Sequence, residues 1–166
     1  MISPDGGAEK VELTIPLKAG YVSVARLTVA GIANRLGFDI DTIEDIKVSL
    51  SEVCNRIIGA RNKMEESALN TVCKIVFTLY QDSLGVDFYL DDVSSFYAYM
   101  PEGVFSQRDA GAGAQNAPDF DKLIGDQRLV GQYEDYLQLS LISLLMDEFI
   151  VNLGENCIVS MKKYLY

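Results

Sequence analysis

The sequence predicts an α+β domain, an α/β sandwich in which helices cover one face of a mainly antiparallel sheet. Two observations carry this prediction. Short runs that alternate apolar and polar residues are typical of half-buried strands, and two longer stretches repeat their apolar residues at steps of three and four, as helices do. The order is strand, two helices, two strands, a long loop, a helix and two strands. This order favours helices packed on a single face of the sheet.

The first strand and the first helix follow from alternation and periodicity. Residues 11–15 alternate apolar and polar side chains and Pro16 ends the run, which predicts a strand. Residues 21–36 repeat apolar side chains at steps of three and four, which predicts a helix that stops at Gly37. The face of this helix that we expect to be buried consists of Val22, Ala25, Val29, Ile32 and Leu36.

The second helix is predicted over residues 41–60. Asp41 and Glu44 have the spacing of a capping box, with Asp41 at the N-cap. The buried face is expected to carry Ile43, Ile46, Leu50, Val53 and Ile57, and the opposite, polar face Asp45, Ser49, Glu52 and Arg56. We interpret this helix, with Glu52 on its polar face, as the functional centre of the domain.

The second half of the chain contains four more predicted strands and one more helix. Residues 72–80 and 86–90 both alternate apolar and polar side chains, and the two runs are close enough in sequence to form a hairpin. A buried helix is predicted over 137–146. Residues 149–153 and 157–161 are expected to form the closing hairpin of the sheet.

The long segment over residues 92–135 is weakly patterned. It includes Gly111-Ala112-Gly113, and we expect a lid-type loop, since structureless segments of this length are uncommon unless they serve a function or are disordered. Residues 1–8 are polar and rich in glycine and are expected to be a flexible tail. Residues 9–166 have the length of a single domain.

The composition excludes several kinds of chemistry. The 166-residue chain contains no histidine, which excludes Ser-His-Asp and Cys-His catalysis, histidine-ligated metals and a phosphoaccepting histidine. A net charge of −10 argues against nucleic acid as a partner, and the lack of a long apolar run argues against a membrane. Cys54, Cys73 and Cys157 have neither disulfide nor zinc spacing. We interpret them as buried small apolar residues in a soluble, cytoplasmic protein.

Three parts of the chain resemble the anti-sigma regulatory factors, the serine-protein kinase branch of the GHKL ATPase superfamily. They are residues 21–28, residues 43–52, and the end of the chain at 145–148 and 161–165. The resemblance implies a histidine kinase-like ATPase (Bergerat-type) fold that holds Mg-ATP beneath a lid. It also implies a domain that sequesters a sigma factor and phosphorylates an anti-anti-sigma partner on serine.

The family motif on the second helix is Glu-x-x-x-Asn, in which Glu is the general base and Asn holds magnesium. Glu52 matches the Glu, but Arg56 stands at the position of the Asn. Asn55 is displaced by one residue, a rotation of about 100° around the helix, so we expect it to flank the nucleotide and metal site. Arg56 is expected to repel a divalent cation and to form an ion pair with Glu52.

Two further nucleotide motifs are altered. The resemblance places an Asp-x-Gly after the hairpin strand, where Asp91 matches the Asp and Val93 replaces the Gly. A β-branched side chain cannot offer the close backbone approach that glycine offers. A Gly-x-Gly at the start of the last helix is replaced by Tyr136 and Gln138, the ends of Tyr136-Leu137-Gln138. The sequence therefore predicts a degenerate nucleotide site, with ATP or ADP and Mg bound weakly or not at all.

Arg26 on the first helix matches an arginine that family members place on the surface shared by the sigma factor and the anti-anti-sigma partner. Three hypotheses remain open from the sequence. The first is an anti-sigma-like binding module with little ATP turnover. The second is an active Mg-ATP-dependent serine-protein kinase with Glu52 as base and Asn55 as metal ligand. The third is a structural role as a homodimer paired through the first strand and helix, as the resemblance suggests.

Overall fold

The computed structural model describes residues 8–62, 71–91, 141–151 and 157–166. In chain order its elements are β1 (Glu9–Pro16), a 3-10 helix (Ala19–Tyr21), α1 (Val22–Leu36), α2 (Ile40–Asn62), β2 (Val72–Leu79), β3 (Ser83–Leu90), β4 (Glu148–Val151) and β5 (Cys157–Tyr164). Between β3 and β4, residues 141–145 are helical. The described strands form one antiparallel sheet of order β1-β2-β3-β5-β4.

One face of the sheet packs against α1 and α2. Because side chains alternate along a strand, β2 and β3 each present a row of apolar residues to the same side. The register places these rows opposite each other, with Ile75 beside Phe88 and Phe77 beside Val86. The core joins these rows to the buried faces of α1 and α2, which confirms the α+β class with helices on one face.

The C-terminal end of α1 lies where the sequence predicts it. The helix ends at Gly37, which adopts φ 91°, a left-handed conformation that favours glycine. Its backbone N–H donates to the Asn34 carbonyl over 3.1 Å, and the Phe38 N–H donates to the Ala33 carbonyl over 3.2 Å. The prediction that Gly37 stops this helix is confirmed.

The start of α2 differs from the prediction. Asp39, and not Asp41, is the N-cap: its Oδ1 accepts a hydrogen bond from the Thr42 backbone N–H over 2.8 Å. Its Oδ2 accepts a second bond from the Thr42 hydroxyl over 2.9 Å, and its carbonyl accepts the first helical bond from the Ile43 N–H. Asp41 lies inside the first turn of the helix, and of the two aspartates Asp39 is the one with a hydroxyl residue three positions later.

The predicted strands and helices are otherwise present with shifted ends. The hairpin of β2 and β3 and the closing pair of β4 and β5 are confirmed. Of the predicted helix over 137–146, residues 141–145 are described and helical. The predicted lid-type loop over 92–135 and nearly all of the tail over 1–8 lie outside the described residues.

Candidate functional site

A strip of polar residues runs along α2 at steps of four and three: Asp45, Ser49, Glu52 and Arg56. The sequence predicted that these residues lie opposite the core, and this prediction is wrong. Ser49 is completely buried, and the other three are half-buried. The strip therefore borders the core. Helical periodicity fixes the order of side chains around the axis, but the width of the buried arc depends on what packs against its flanks.

Asn55 lies on a different side of α2. Its side chain is exposed, whereas Glu52 and Arg56 on the strip are half-buried. A displacement of one residue rotates a side chain by about 100°, so Asn55 and Arg56 face different environments. The structure thus brings Arg56, and not Asn55, onto the strip that carries Glu52.

The expected Glu52–Arg56 ion pair is tested only in part by the described residues. Ion pairs within 4.0 Å between described side chains include Arg35–Glu9, Lys47–Glu44, Lys74–Glu12 and Lys163–Asp147. Arg56 also makes an interaction of its own. Direct pairing of Arg56 with Glu52 stays a prediction.

The other end of the candidate site is Asp91, which directly follows β3 and is exposed. The sheet register places this end of β3 beside the start of β2, because Leu90 pairs with Cys73. The C-terminal turn of α2 reaches the same end of the sheet, where Arg61 Nη1 donates to the Leu17 carbonyl over 3.0 Å. The structure thus brings Asp91 and the last turn of α2 to one end of the domain. Val93, Tyr136 and Gln138 lie outside the described residues.

The buried cysteines offer no nucleophile for this site. Burial raises the pKa of the Cys54 thiol, which lies on α2, to about 12. Burial also raises the pKa of the Cys73 thiol on β2 to about 12, with a further contribution from Cys54. Because the thiolate is the reactive form, both groups are inert at neutral pH. The interpretation of these two residues as buried small apolar groups is confirmed, and the Cys157 side chain lies outside the described part.

The described residues form no cluster of three or more carboxylate or cysteine side chains that could hold a metal ion. None of the described helices is long and apolar enough to span a membrane. Within the part of the chain that is described, Asp45, Glu52 and Asp91 do not form a metal centre.

Arg26 is exposed on α1 and flanks the buried row of this helix, since Val22 and Val29 lie one turn before and after it. It belongs to none of the ion pairs between described side chains. Its neighbour Leu27 is 73% exposed, which leaves an apolar side chain next to a cation on the surface.

No family model matches the chain. The chain is similar to the serine-protein kinase RsbW of Bacillus cereus (strain ATCC 10987 / NRS 248), with 35% identity over 95% of this chain and 86% of the relative. The serine-protein kinase RsbW of Bacillus thuringiensis subsp. konkukian (strain 97-27) is also 35% identical, and that of Bacillus mycoides (strain KBAB4) is 34% identical, with the same shares of each chain. The chain belongs to the RsbW family. The resemblance found in the sequence is thereby confirmed, and the antiparallel sheet with its helices on one face is the fold expected for an RsbW protein.

Proposed function

We propose that this RsbW-family protein is an anti-sigma-type regulator of bacterial transcription that acts by binding a sigma factor or an anti-anti-sigma partner. Membership of the RsbW family supports the regulatory class. The exposed Arg26 on α1 supports the mode of action, because an unburied guanidinium next to an exposed apolar residue is suited to a protein contact.

The observation that carries the proposal is the identity of the residues on the α2 strip. Arg56 shares the strip with Glu52, and Asn55 is exposed on another side of the helix. A guanidinium repels a divalent cation, and Arg56 is four residues, about one helical turn, from Glu52. This arrangement favours binding over phosphoryl transfer.

Mg-ATP does not fit the described residues well. Oxygen ligands are what Mg²⁺ prefers, and the strip offers it a guanidinium at the position where the family has an asparagine. Asp91 remains available as an acceptor for an adenine amino group, because its side chain is exposed at the end of β3. We therefore propose that nucleotide binding is weak or absent and that the retained function is protein binding.

The alternative is an active Mg-ATP-dependent serine-protein kinase that phosphorylates an anti-anti-sigma factor. The names of the relatives favour it, since each is called a serine-protein kinase. In this case Glu52 is the general base and Asn55 is the metal ligand. Glu52 is half-buried on the strip, so its carboxylate is placed at a surface that a substrate can approach.

Titration calorimetry with ATP and with ADP, each with and without magnesium, separates the two functions. We expect no heat of binding, or binding that magnesium does not strengthen. Micromolar binding that requires magnesium, together with transfer of phosphate to a serine of an anti-anti-sigma protein, would establish the kinase. Glu52→Gln is the control for that transfer, because it removes the base and keeps the shape of the side chain.

Capture of purified sigma factors by the immobilised protein tests the binding function. We expect at least one sigma factor to be retained by the wild-type protein and lost by Arg26→Ala. Lys10→Ala is the matched control, because Lys10 is also an exposed cation but lies on β1. Equal capture by both variants would remove Arg26 from the interface, and capture of no sigma factor by the wild-type protein would contradict the proposed function.

Three further expectations stay predictions. The net charge of −10 disfavours nucleic acid as a direct partner. A homodimer is implied by the family resemblance, and a cytoplasmic location by the interpretation of the cysteines as buried, unpaired residues. Light scattering of the purified protein and fractionation of expressing cells would test these two.

A further inference from the structure

Strand β4 lies at one edge of the sheet, and its outer side is open within the described part of the chain. Among the described strands, β4 pairs with β5 alone, from Glu148 opposite Lys162 to Val151 opposite Val159. Alternate residues of an edge strand turn their backbone N–H and C=O groups away from the sheet, where another strand can pair with them. A further strand can therefore add to the sheet at β4.

The two edges of the sheet differ in the residues that discourage such pairing. The opposite edge strand, β1, contains Lys10, Glu12 and Pro16, and charged residues and proline are the usual protection of an edge. Strand β4 has one charged residue, Glu148 at its first position, and neither lysine nor proline. The edge at β4 is thus the less protected of the two.

Ile150 is the exposed apolar side chain of this edge. Because side chains alternate along a strand, Phe149 and Val151 pack against the core and Ile150 lies on the face away from α1 and α2. There it is opposite Ser160 of β5 and is 45% exposed. A β-branched apolar side chain on a strand is suited to contact the equivalent side chain of a neighbouring strand.

The charge near β4 allows a second copy of the chain to approach. The whole chain has a net charge of −10, but the acidic Asp147 and Glu148 at this edge are balanced by Lys162 and Lys163 on β5. Lys163 Nζ lies 3.4 Å from Asp147 Oδ1, and the Tyr164 hydroxyl donates a hydrogen bond to Glu148. These described residues therefore bring no excess of negative charge to the edge.

We propose that β4 pairs antiparallel with β4 of a second copy of this chain, about a two-fold axis at Ile150. A two-fold axis perpendicular to the sheet has to pass between identical residues, since residues opposite each other lie on the same face. With the axis at Ile150, the two Ile150 side chains meet, and Phe149 of each copy lies opposite Val151 of the other. An axis at Phe149 would instead place the carboxylate of Glu148 opposite Ile150, so the register at Ile150 is favoured.

This pairing goes beyond the proposed function and joins the two sheets edge to edge. It uses the opposite edge of the sheet from the first strand, through which the family resemblance implies a homodimer. A contact between two four-residue strands is small, so we expect weak association, with a dissociation constant in the micromolar range or above.

Cysteine cross-linking tests the register. Residues opposite each other in antiparallel strands have Cα atoms about 4.5–5.5 Å apart, which is within the range of a disulfide. In a Cys157→Ser background, Ile150→Cys is expected to give a disulfide-linked dimer as oxidised glutathione is reduced to two molecules of glutathione. Glu148→Cys is the matched control on the same strand and face. It is expected not to cross-link, because the two equivalent positions would be about 13 Å apart along the strands.

Sedimentation velocity over a series of concentrations tests the strength of the contact. Ile150→Lys places two positive charges at the axis and is expected to weaken association through β4 by about tenfold or more. Val11→Lys is the matched control, because Val11 is 40% exposed on the opposite edge strand. It is expected to change association through β4 by less than about twofold. If the first strand also pairs, the wild-type protein is expected to reach a tetramer and Ile150→Lys to stop at a dimer.

Several results would overturn the inference. Equal cross-linking of Ile150→Cys and Glu148→Cys would contradict the register, and a wild-type protein that stays monomeric at every concentration would contradict the contact. Association that is lost in Val11→Lys and kept in Ile150→Lys would assign the pairing to β1. Loss of sigma-factor capture in Ile150→Lys, without any self-association of the wild-type protein, would assign the edge to a strand of the protein partner. Sigma-factor capture by the wild-type protein is a separate measurement, so the proposed function stands if this inference fails.

Discussion

The Lys163 ammonium donates a hydrogen bond to the Leu145 carbonyl over 2.9 Å, and this contact ties β5 to the end of the 141–145 helical segment. The Lys163 side chain is only 15% exposed, and its Nζ also lies 3.4 Å from Asp147 Oδ1. Asp147 in turn accepts a hydrogen bond from the Tyr164 backbone N–H over 2.7 Å. A cation at the C-terminal end of a helix also complements the helix dipole.

Lys163→Met is expected to lower the free energy of unfolding by about 1–3 kcal/mol. The substitution keeps the apolar stem but leaves the Leu145 carbonyl and the Asp147 carboxylate without their cationic partner. Urea unfolding followed by circular dichroism measures the change. Lys10→Met is the control, because Lys10 is exposed. The free energy of unfolding of this variant is expected to stay within about 0.5 kcal/mol of the wild-type value. Equal effects of both substitutions would contradict the role of Lys163.

Ser49→Ala is expected to raise the free energy of unfolding by about 1 kcal/mol. The Ser49 hydroxyl is completely buried and has no hydrogen-bond partner among the described residues, so its removal relieves an unpaired polar group. Other helix hydroxyls behave differently: Thr28 donates to the Val24 carbonyl over 2.9 Å and Ser51 to the Lys47 carbonyl over 2.7 Å. Chemical denaturation of Ser49→Ala and of the wild-type protein measures the change in the free energy of unfolding.

Ser51→Ala is the matched control for Ser49→Ala, because both positions lie on α2 and gain the same helix propensity from alanine. Ser51→Ala also loses a satisfied hydrogen bond, so its gain is expected to be smaller. A destabilised Ser49→Ala protein would mean that the hydroxyl has a favourable partner in solution.

The sequence predicted the order of elements correctly but misplaced details that depend on packing. Alternation and periodicity report which residues face the core along one element, and they located both hairpins and the two long helices. They do not report how far a neighbouring element covers the flank of a helix, so Ser49 was placed on the polar face although it is buried. The choice between Asp39 and Asp41 as cap depended on the hydroxyl of Thr42, a local contact that the capping-box pattern ignored.

The candidate site was predicted in part. Glu52 lies on the strip with Arg56, as expected from their spacing of four, and Asp91 lies at the end of β3. Whether Arg56 pairs directly with Glu52 stays a prediction, because a spacing of four permits such a contact without selecting the rotamers that make it. The roles of all these residues in binding or catalysis stay predictions.

Cys54 and Cys73 are expected to resist thiol reagents in the folded protein. Burial raises the pKa of each thiol to about 12, so at pH 8 the thiolate fraction is about 10⁻⁴. In a Cys157→Ser background, Ellman's reagent should react with both thiols within seconds in urea and far more slowly without it. Fast reaction of two thiols under native conditions would contradict the buried environment.

The stability that the Asp39 cap gives to α2 depends on pH in the acidic range. Hydrogen bonds from the backbone and side chain of Thr42 hold the pKa of the Asp39 carboxyl below its usual value of 3.8. A carboxyl with a lower pKa in the folded state contributes stability that is fully present above its unfolded pKa. That contribution is lost as the pH falls through the folded pKa. The contribution of Asp39 is therefore complete at neutral pH, begins to fall near about pH 4 and is lost as the pH falls through the lower pKa of the folded state.

Asp39→Asn keeps a side-chain oxygen that can accept the Thr42 N–H but removes the charge and the titration. The variant is expected to be less stable than the wild-type protein at pH 7 and to approach it in stability as the pH falls below about 4. Urea unfolding at a series of pH values measures both curves. Asp41→Asn is the matched control, since Asp41 is exposed in the first turn of α2 and is not its cap. If the difference between wild type and Asp39→Asn stays constant from pH 7 to pH 3, the carboxylate of Asp39 does not contribute through its charge.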